Sequence, residues 1–373
     1  MPLVIAIFIA TFIYTVQHRI YRNLWDKKLN IDISFKDDCL NVGDKSSLVE
    51  VINNDKYLPL PVIHVKFATS RYFKFQDEEN AVITDRYHRN DVFSVMGNKK
   101  VTRKLDFVAT RRGFYTVDGV NIIAKDFFMT KTFAKSIPNY AEMYVLPRKL
   151  YGGQYEVICN TMFGEIEARR SLFEDPFFFR GIREYSTRDS MSKINWRATA
   201  KTGELMVDQY GRTAEYRVKI FLNMDTNYMV KSEKIQELII ELVSTLSRDF
   251  LLRGIPVMVA GNGVDIVNND VCSVDFGSAI NHLMTIDKCL ARIKNQGEME
   301  RFLSSINESA KSLDDSMAYV LVSAYVNEEL LLKLDYLYSK NINVTLIVPY
   351  YDIIGFKKLR PYMFGWEVKL DET

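Results

Sequence analysis

The densest cluster of chemically capable side chains lies between Arg180 and Arg212. It contains Arg183-Glu184-Tyr185, Arg188-Asp189 and Asn195-Trp196-Arg197. Arginine pairs with carboxylates in two-point fashion and stacks on aromatic faces. These residue types at this spacing admit three readings. One is a partly buried ion-pair lattice that fixes a linker against its neighbours. Another is a docking surface for a partner protein. The third is a phosphate site, since the segment carries seven Lys or Arg against four Asp or Glu, a local +3. No glycine-rich cradle accompanies that charge.

Other candidates are weaker. His18 stands at the edge of an apolar run, and His64, His88 and His282 are scattered. None has a Ser, Cys or Asp at a recognisable catalytic spacing. Asp314-Asp315 reads as a solvated turn. The four cysteines, Cys39, Cys159, Cys272 and Cys289, form no Cys-x-x-Cys pair and match no zinc-finger spacing. They read as four buried thiols in a reducing compartment. A net charge of +2 on 373 residues gives no global drive toward nucleic acid. Nothing in the sequence asks for a cofactor.

These residues must be held by something, and the length implies more than one folded unit. Residues 1–18 are expected to form a transmembrane anchor. Pro2 to Val16 carry no charge, slightly short of the about 20 residues a bilayer span prefers. Interfacial Tyr14 and snorkelling ends can cover the difference. A cleaved signal peptide is the rival, but the basic residues Arg19, Arg22, Lys27 and Lys28 follow the run instead of preceding it, and no Ala-x-Ala stands downstream. Positive charge after a span places the bulk of the chain in the cytoplasm.

From 30 to 150 the pattern is β. Ile31, Ile33 and Phe35 alternate with polar residues, as do Ile63, Val65 and Phe67, and Leu105, Phe107 and Ala109. Period-two alternation with frequent turn residues predicts an antiparallel β-sandwich. Residues 151–215 read as an irregular linker holding the charged cluster. Its Phe173 to Phe179 run is expected to pack on a neighbouring domain. From 216 to 373 strands and helices alternate, which predicts a doubly wound α/β domain. A helix from Ser232 to Arg253 is expected to bury Ile235, Leu238, Ile239, Leu242, Val243 and Leu246 and to end at Gly254.

The order Gly181-Ile182-Arg183-Glu184-Tyr185, Arg188-Asp189, Ile194-Asn195-Trp196-Arg197-Ala198-Thr199-Ala200 resembles the bacterial domain-of-unknown-function 58 family. The Arg112-Gly113-Phe114-Tyr115 turn fits it too. Arg188-Asp189 departs from the commoner Gly-Asp. The resemblance implies that the α/β domain is von Willebrand factor A-like and that the partner is a MoxR-type AAA+ ATPase. Such domains often bind a divalent ion through Asp-x-Ser-x-Ser, and here the segment reads Asp225-Thr226-Asn227-Tyr228-Met229. A thioether is no hard-oxygen ligand. Val322-Ser323-Ala324-Tyr325 also lacks an acidic residue, so the site at Asp225 and Asn227 reads as degenerate and empty of metal. The resulting expectation is a membrane-anchored, non-catalytic adaptor. The alternatives are a cryptic metal-dependent or phosphate-binding enzyme and a surface adhesion module.

Overall fold

The computed structural model describes residues 2–368 except 173, 188, 213–215, 226–232, 311–315 and 352–355. Arg188, Asn227 and Asp314-Asp315 therefore lie outside the described residues, as does most of the Phe173–Phe179 run at side-chain level. The chain divides into two compact units, Met1–Arg148 and Lys149–Thr373.

The first unit opens with α1 (Pro2–Leu24). Its Leu3–Leu24 stretch has mean hydropathy 1.7 and is long and apolar enough to cross a membrane. The helix does not stop at residue 18. Arg19 and Arg22 stay exposed, while Tyr21 and then Trp25 turn inward every fourth residue and enter the sandwich core. The Tyr21 hydroxyl donates to the Pro59 carbonyl at 2.8 Å, and Trp25 stacks on Phe133. That tertiary contact is why the helix outruns its apolar run.

Ten strands follow: β1 (Leu29–Phe35), β2 (Cys39–Asn41), β3 (Lys45–Asn54), β4 (Leu60–Ser70), β5 (Phe73–Phe75), β6 (Ala81–Ile83), β7 (Arg86–Val95), β8 (Lys99–Ala109), β9 (Gly113–Lys125) and β10 (Thr132–Leu146). They form two sheets, β1-β3-β8-β5 and β2-β10-β9-β4-β7-β6. All pairs are antiparallel except β2 with β10. Alternate residues such as Ile33, Leu48, Ile63, Val65, Phe107 and Ile122 fill one core between the sheets, as period-two burial requires.

The second unit begins with α2 (Gly153–Leu172), β11 (Glu174–Glu184), a 3₁₀ turn (Met191–Lys193), α3 (Trp196–Thr202) and β12 (Met206–Arg212). The expected irregular linker is thus corrected. Tyr155, Ile158, Cys159, Met162, Phe163 and Ile166 recur at three- and four-residue spacing and bury one face of α2 in the core. The Tyr155 hydroxyl donates to Asp249 at 2.6 Å. Phe179 does not pack away: it is 56% exposed and meets Tyr210 edge-on.

The remaining elements are β13 (Arg217–Asn223), α4 (Glu233–Leu252), β14 (Val257–Val264), β15 (Val271–Gly277), α5 (His282–Ala291), α6 (Met299–Ala310), β16 (Met317–Ser323), α7 (Glu328–Ser339), β17 (Asn343–Tyr351) and β18 (Met363–Val368). They make a sheet ordered β15-β14-β13-β16-β17-β18, parallel except for the edge strand β15. Both faces are covered. Val218, Ile220 and Leu222 pack with α2, α4 and α5; Phe221, Tyr319 and Leu321 pack with α6 and α7. Burial on both faces explains why these strands read as continuous apolar runs. Helix α4 ends at Gly254, whose φ of +68° suits the left-handed turn that closes the helix.

The expectation of four thiols is also corrected. Packing of α5 on β15 joins Cys272 to Cys289 as a disulfide, their Cα atoms 6.4 Å apart. Cys159 is buried and Cys39 only half-buried. The cysteines therefore no longer argue for a reducing compartment.

Candidate functional site

The α/β sheet reverses its winding at β13. The chain leaves β13 for β14 on one side and later enters β16 on the other. Ligands of open parallel sheets gather outside the carboxyl ends of strands at such a point. Here those ends carry Asn223, Asn262 and Ser323, all fully buried. Asn223 Nδ2 donates to Ser323 Oγ at 2.9 Å, and Asn262 Nδ2 donates to Asn223 Oδ1 at 2.7 Å. Asn262 Oδ1 in turn accepts from the Met224 amide at 2.7 Å, and Asn223 Oδ1 accepts from the Asp225 amide at 2.9 Å. Gly297 passes so close to Asn262 that a Cβ there would stand 2.7 Å from its side chain. The strand ends are thus tied by a neutral lattice whose side chains bond one another and the nearby backbone, including the Glu298 and Tyr325 carbonyls.

Beside the lattice opens a cleft of about 770 Å³ whose lining includes Asp225, Glu233, Gln236, Glu298 and Glu300. The lining is acidic. Even so, among the described residues no three His, Cys, Asp or Glu side chains gather closely enough to hold a metal ion. The structure places Asp225 in the lining of this cleft. Met299 and Gln236, which the sequence did not single out, complete it: Gln236 Nε2 donates to the carbonyls of Met224 and Asn295.

The charged cluster of the sequence forms a separate module. Strands β11 and β12 pair antiparallel, with Arg183 opposite Val207 and Glu184 opposite Met206. Arg183 grips Asp189 through two nitrogens at 2.7 and 2.6 Å, and Asp189 also accepts from the Ser186 amide. The Arg183 guanidinium holds the Asp189 carboxyl below the usual carboxylate range. Asn195 caps α3, accepting from the Ala198 amide at 2.8 Å and donating to Asp208 at 2.6 Å. The Tyr185 amide donates to the Leu205 carbonyl. Glu184 and Arg197 are exposed, and Trp196 is 65% exposed. Among the described residues, the expected partly buried lattice appears as a local fork of Arg183 on Asp189, with the arginine 45% exposed. The segment pairs Arg183 with Asp189 and leaves Trp196 and Arg197 facing solvent.

Two buried charged clusters were not anticipated. Inside the sandwich, Arg89 and Asp91 are both wholly shielded and 2.6 Å apart, and Arg103 reaches Asp91 and Asp77. Glu50 lies beside them, fully buried. In the second unit, Lys149 donates to both oxygens of Asp287, at 2.8 and 2.7 Å, and to Ser244. Burial lowers the Lys149 pKa and raises that of Asp287. The available signal was faint: Arg89 and Asp91 sit two apart, on the same strand face as the buried Tyr87.

No family model and no curated protein matches the chain. Among solved structures it is similar to a non-cellulosomal cohesin from the hyperthermophilic archaeon Archaeoglobus fulgidus, at 12% identity over 31% of this chain and 91% of that one, with a TM-score of 0.22. It is also similar to the CARDB domain of the PF1109 protein from Pyrococcus furiosus, at 14% identity over 32% and 93%, with a TM-score of 0.21. A PapD-like domain of human CEP192 gives 12% identity over 32% and 86%, and 0.22. At such values none of them speaks to what this chain does.

Proposed function

We propose that this chain is a membrane-anchored, non-catalytic adaptor whose partner docks on the β11–α3–β12 module. The observation that carries the reading is the set of large apolar side chains that this module exposes. Trp196, Met191, Ile182 and Leu205 are large apolar side chains exposed to solvent, and Arg197 stands next to Trp196. Tryptophan and arginine dominate the energetically important positions of protein interfaces. The fork of Arg183 and Asp189 and the Asn195 cap hold this module in one shape, so little ordering is needed on binding.

Two further features support the reading. The amide lattice at the sheet's carboxyl ends offers no nucleophile with an adjacent base. The apolar run of α1, followed by Arg19, Arg22, Lys27 and Lys28, suits a single-pass anchor with the rest of the chain in the cytoplasm. The family resemblance makes the α/β unit von Willebrand factor A-like and the partner a MoxR-type AAA+ ATPase.

The test is capture of the full-length chain in mild detergent, with and without ATP, followed by mass spectrometry of what it retains. An ATP-sensitive AAA+ ATPase is expected. The paired substitution Trp196→Ala with Arg197→Glu should cut its capture by about tenfold or more, with the thermal melt of the chain unchanged. Undiminished capture by that variant would remove the docking face from this module; absence of any such ATPase would remove the partner class.

A further inference from the structure

The hairpin between β9 and β10 ends in Phe127, Phe128 and Met129, which are 58%, 49% and 57% exposed. Three consecutive large apolar side chains at a loop tip are costly in water. The loop is nonetheless tightly built. Buried Asp126 accepts from the Thr130 amide at 2.7 Å, the Thr130 hydroxyl at 2.8 Å and the Lys131 amide at 3.1 Å. Burial opposes ionisation of Asp126, yet those bonds leave its carboxyl below the ordinary range. Met129 sits at a φ of 59°, the left-handed region that side chains other than glycine and asparagine avoid. The fold thus spends conformational energy to hold an apolar tip outward.

That tip stands beside α1. Phe127 lines an apolar groove of about 390 Å³ with Phe12, Ile13, Val16, Ile20 and Pro59. The Thr130 hydroxyl approaches that of Tyr14 at 3.5 Å. The apolar run of α1 gives way to polar residues at Gln17, five residues after Phe12. The groove that Phe127 lines runs along α1 from Phe12 to Tyr21 and takes in Gln17, so the tip lies at that transition. Side chains that anchor a protein in a bilayer interface reach about 5–10 Å into it. The apolar surface of the tip is continuous with that of the helix, and exposed Lys131 follows it in sequence, placed to meet lipid headgroups.

We infer that the Phe127-Phe128-Met129 tip is a second membrane contact, inserted into the lipid interface alongside α1. This seats the β-sandwich on the bilayer surface instead of leaving it on a free tether. The inference rests on α1 being a membrane anchor, and the experiment separates the two.

Full-length chain carrying Cys39→Ser and Cys159→Ser is reconstituted in vesicles of mixed zwitterionic and anionic phospholipid. An environment-sensitive fluorophore is attached in turn at Phe8→Cys on α1, Phe128→Cys on the tip and Tyr140→Cys, an 87% exposed position on β10. Lipids bearing a nitroxide near the headgroup or deep in the acyl chain serve as quenchers. Quenching of the Phe8 label by the deep nitroxide, with several-fold stronger quenching of the Phe128 label than of the Tyr140 label by the shallow one, is the expected result. Deep quenching at Phe8 with Phe128 no different from Tyr140 would overturn the inference and leave the anchor standing. Loss of quenching at Phe8 and Phe128 alike would overturn the anchor and the inference with it. All three positions are exposed, and matching melts for the labelled chains guard against misfolding.

Discussion

Arg89 and Asp91 meet at 2.6 Å inside the β-sandwich, with both side chains wholly shielded from solvent. Arg183 and Asp189 meet at the same distance on the β11–β12 module, where the arginine is 45% exposed. The chemistry is identical and the surroundings are opposite. In water the attraction between unit charges is small and is offset by the entropy of holding two long side chains. In the sandwich, removing Arg89 strips the buried Asp91 of its closer cationic partner and leaves it to the partly exposed Arg103. Charge density along a sequence therefore says little about where ion pairs matter: the crowded 183–197 segment holds the exposed fork of Arg183 and Asp189, while the network that bridges the two sheets draws on Glu50, Asp77, Arg89, Asp91 and Arg103.

Arg89 is where the buried network is most sensitive. Arg89→Ala should cost about 3–5 kcal/mol, read as lost hydrogen-exchange protection of the β3, β7 and β8 amides. A loss below about 1 kcal/mol would mean that the pair is solvated in practice and that the two forks are alike.

The buried network also makes the sandwich sensitive to pH. Burial, reinforced by the Asp91 charge, pushes the Glu50 carboxyl from 4.5 up to about 8. Neither of its oxygens meets a donor among the described residues. Between those two pH values the unfolded chain has released this proton while the folded sandwich still holds it. Stability of the sandwich is accordingly greatest at the low end and falls as pH rises through the window. Glu50→Gln should flatten that slope. An equal slope in the variant would assign the pH dependence to other groups.

The smallest effect belongs to the exposed fork. Arg183→Ala should change stability by about 0.2–1 kcal/mol, and less in high salt. A loss as large as that of Arg89→Ala would show that the module is held together by this pair.

Several elements were legible because local pattern alone decides them. The charge-free run of α1, the alternation of Ile31, Ile33 and Phe35, and the apolar stripe from Ile235 to Leu246 each satisfy one periodicity over several turns or residues. Helix α2 shows the same stripe from Tyr155 to Ile166, but the aromatic and charged residues spread through 151–215 made the segment read as an irregular linker. The candidate sites were less legible. Asp225 was singled out through the family resemblance alone. Its lattice was not, because Asn223, Asn262 and Ser323 come from three strands and each is unremarkable in its own stretch of sequence.

The sequence by itself determined the apolar helix, the change from strand alternation to strand–helix alternation, and the position of the charged segment between them. Each follows from the backbone's periods of 2 and 3.6 and from the solvent preferences of single side chains. Tertiary structure alone decided which charges are buried, that Cys272 meets Cys289, that three distant polar residues close the sheet's end, and that the Phe127–Met129 tip stands against Phe12 and Ile13. Those outcomes are set by pairing and register between segments tens of residues apart, and burial, which fixes the energy of each contact, exists only once the segments have met.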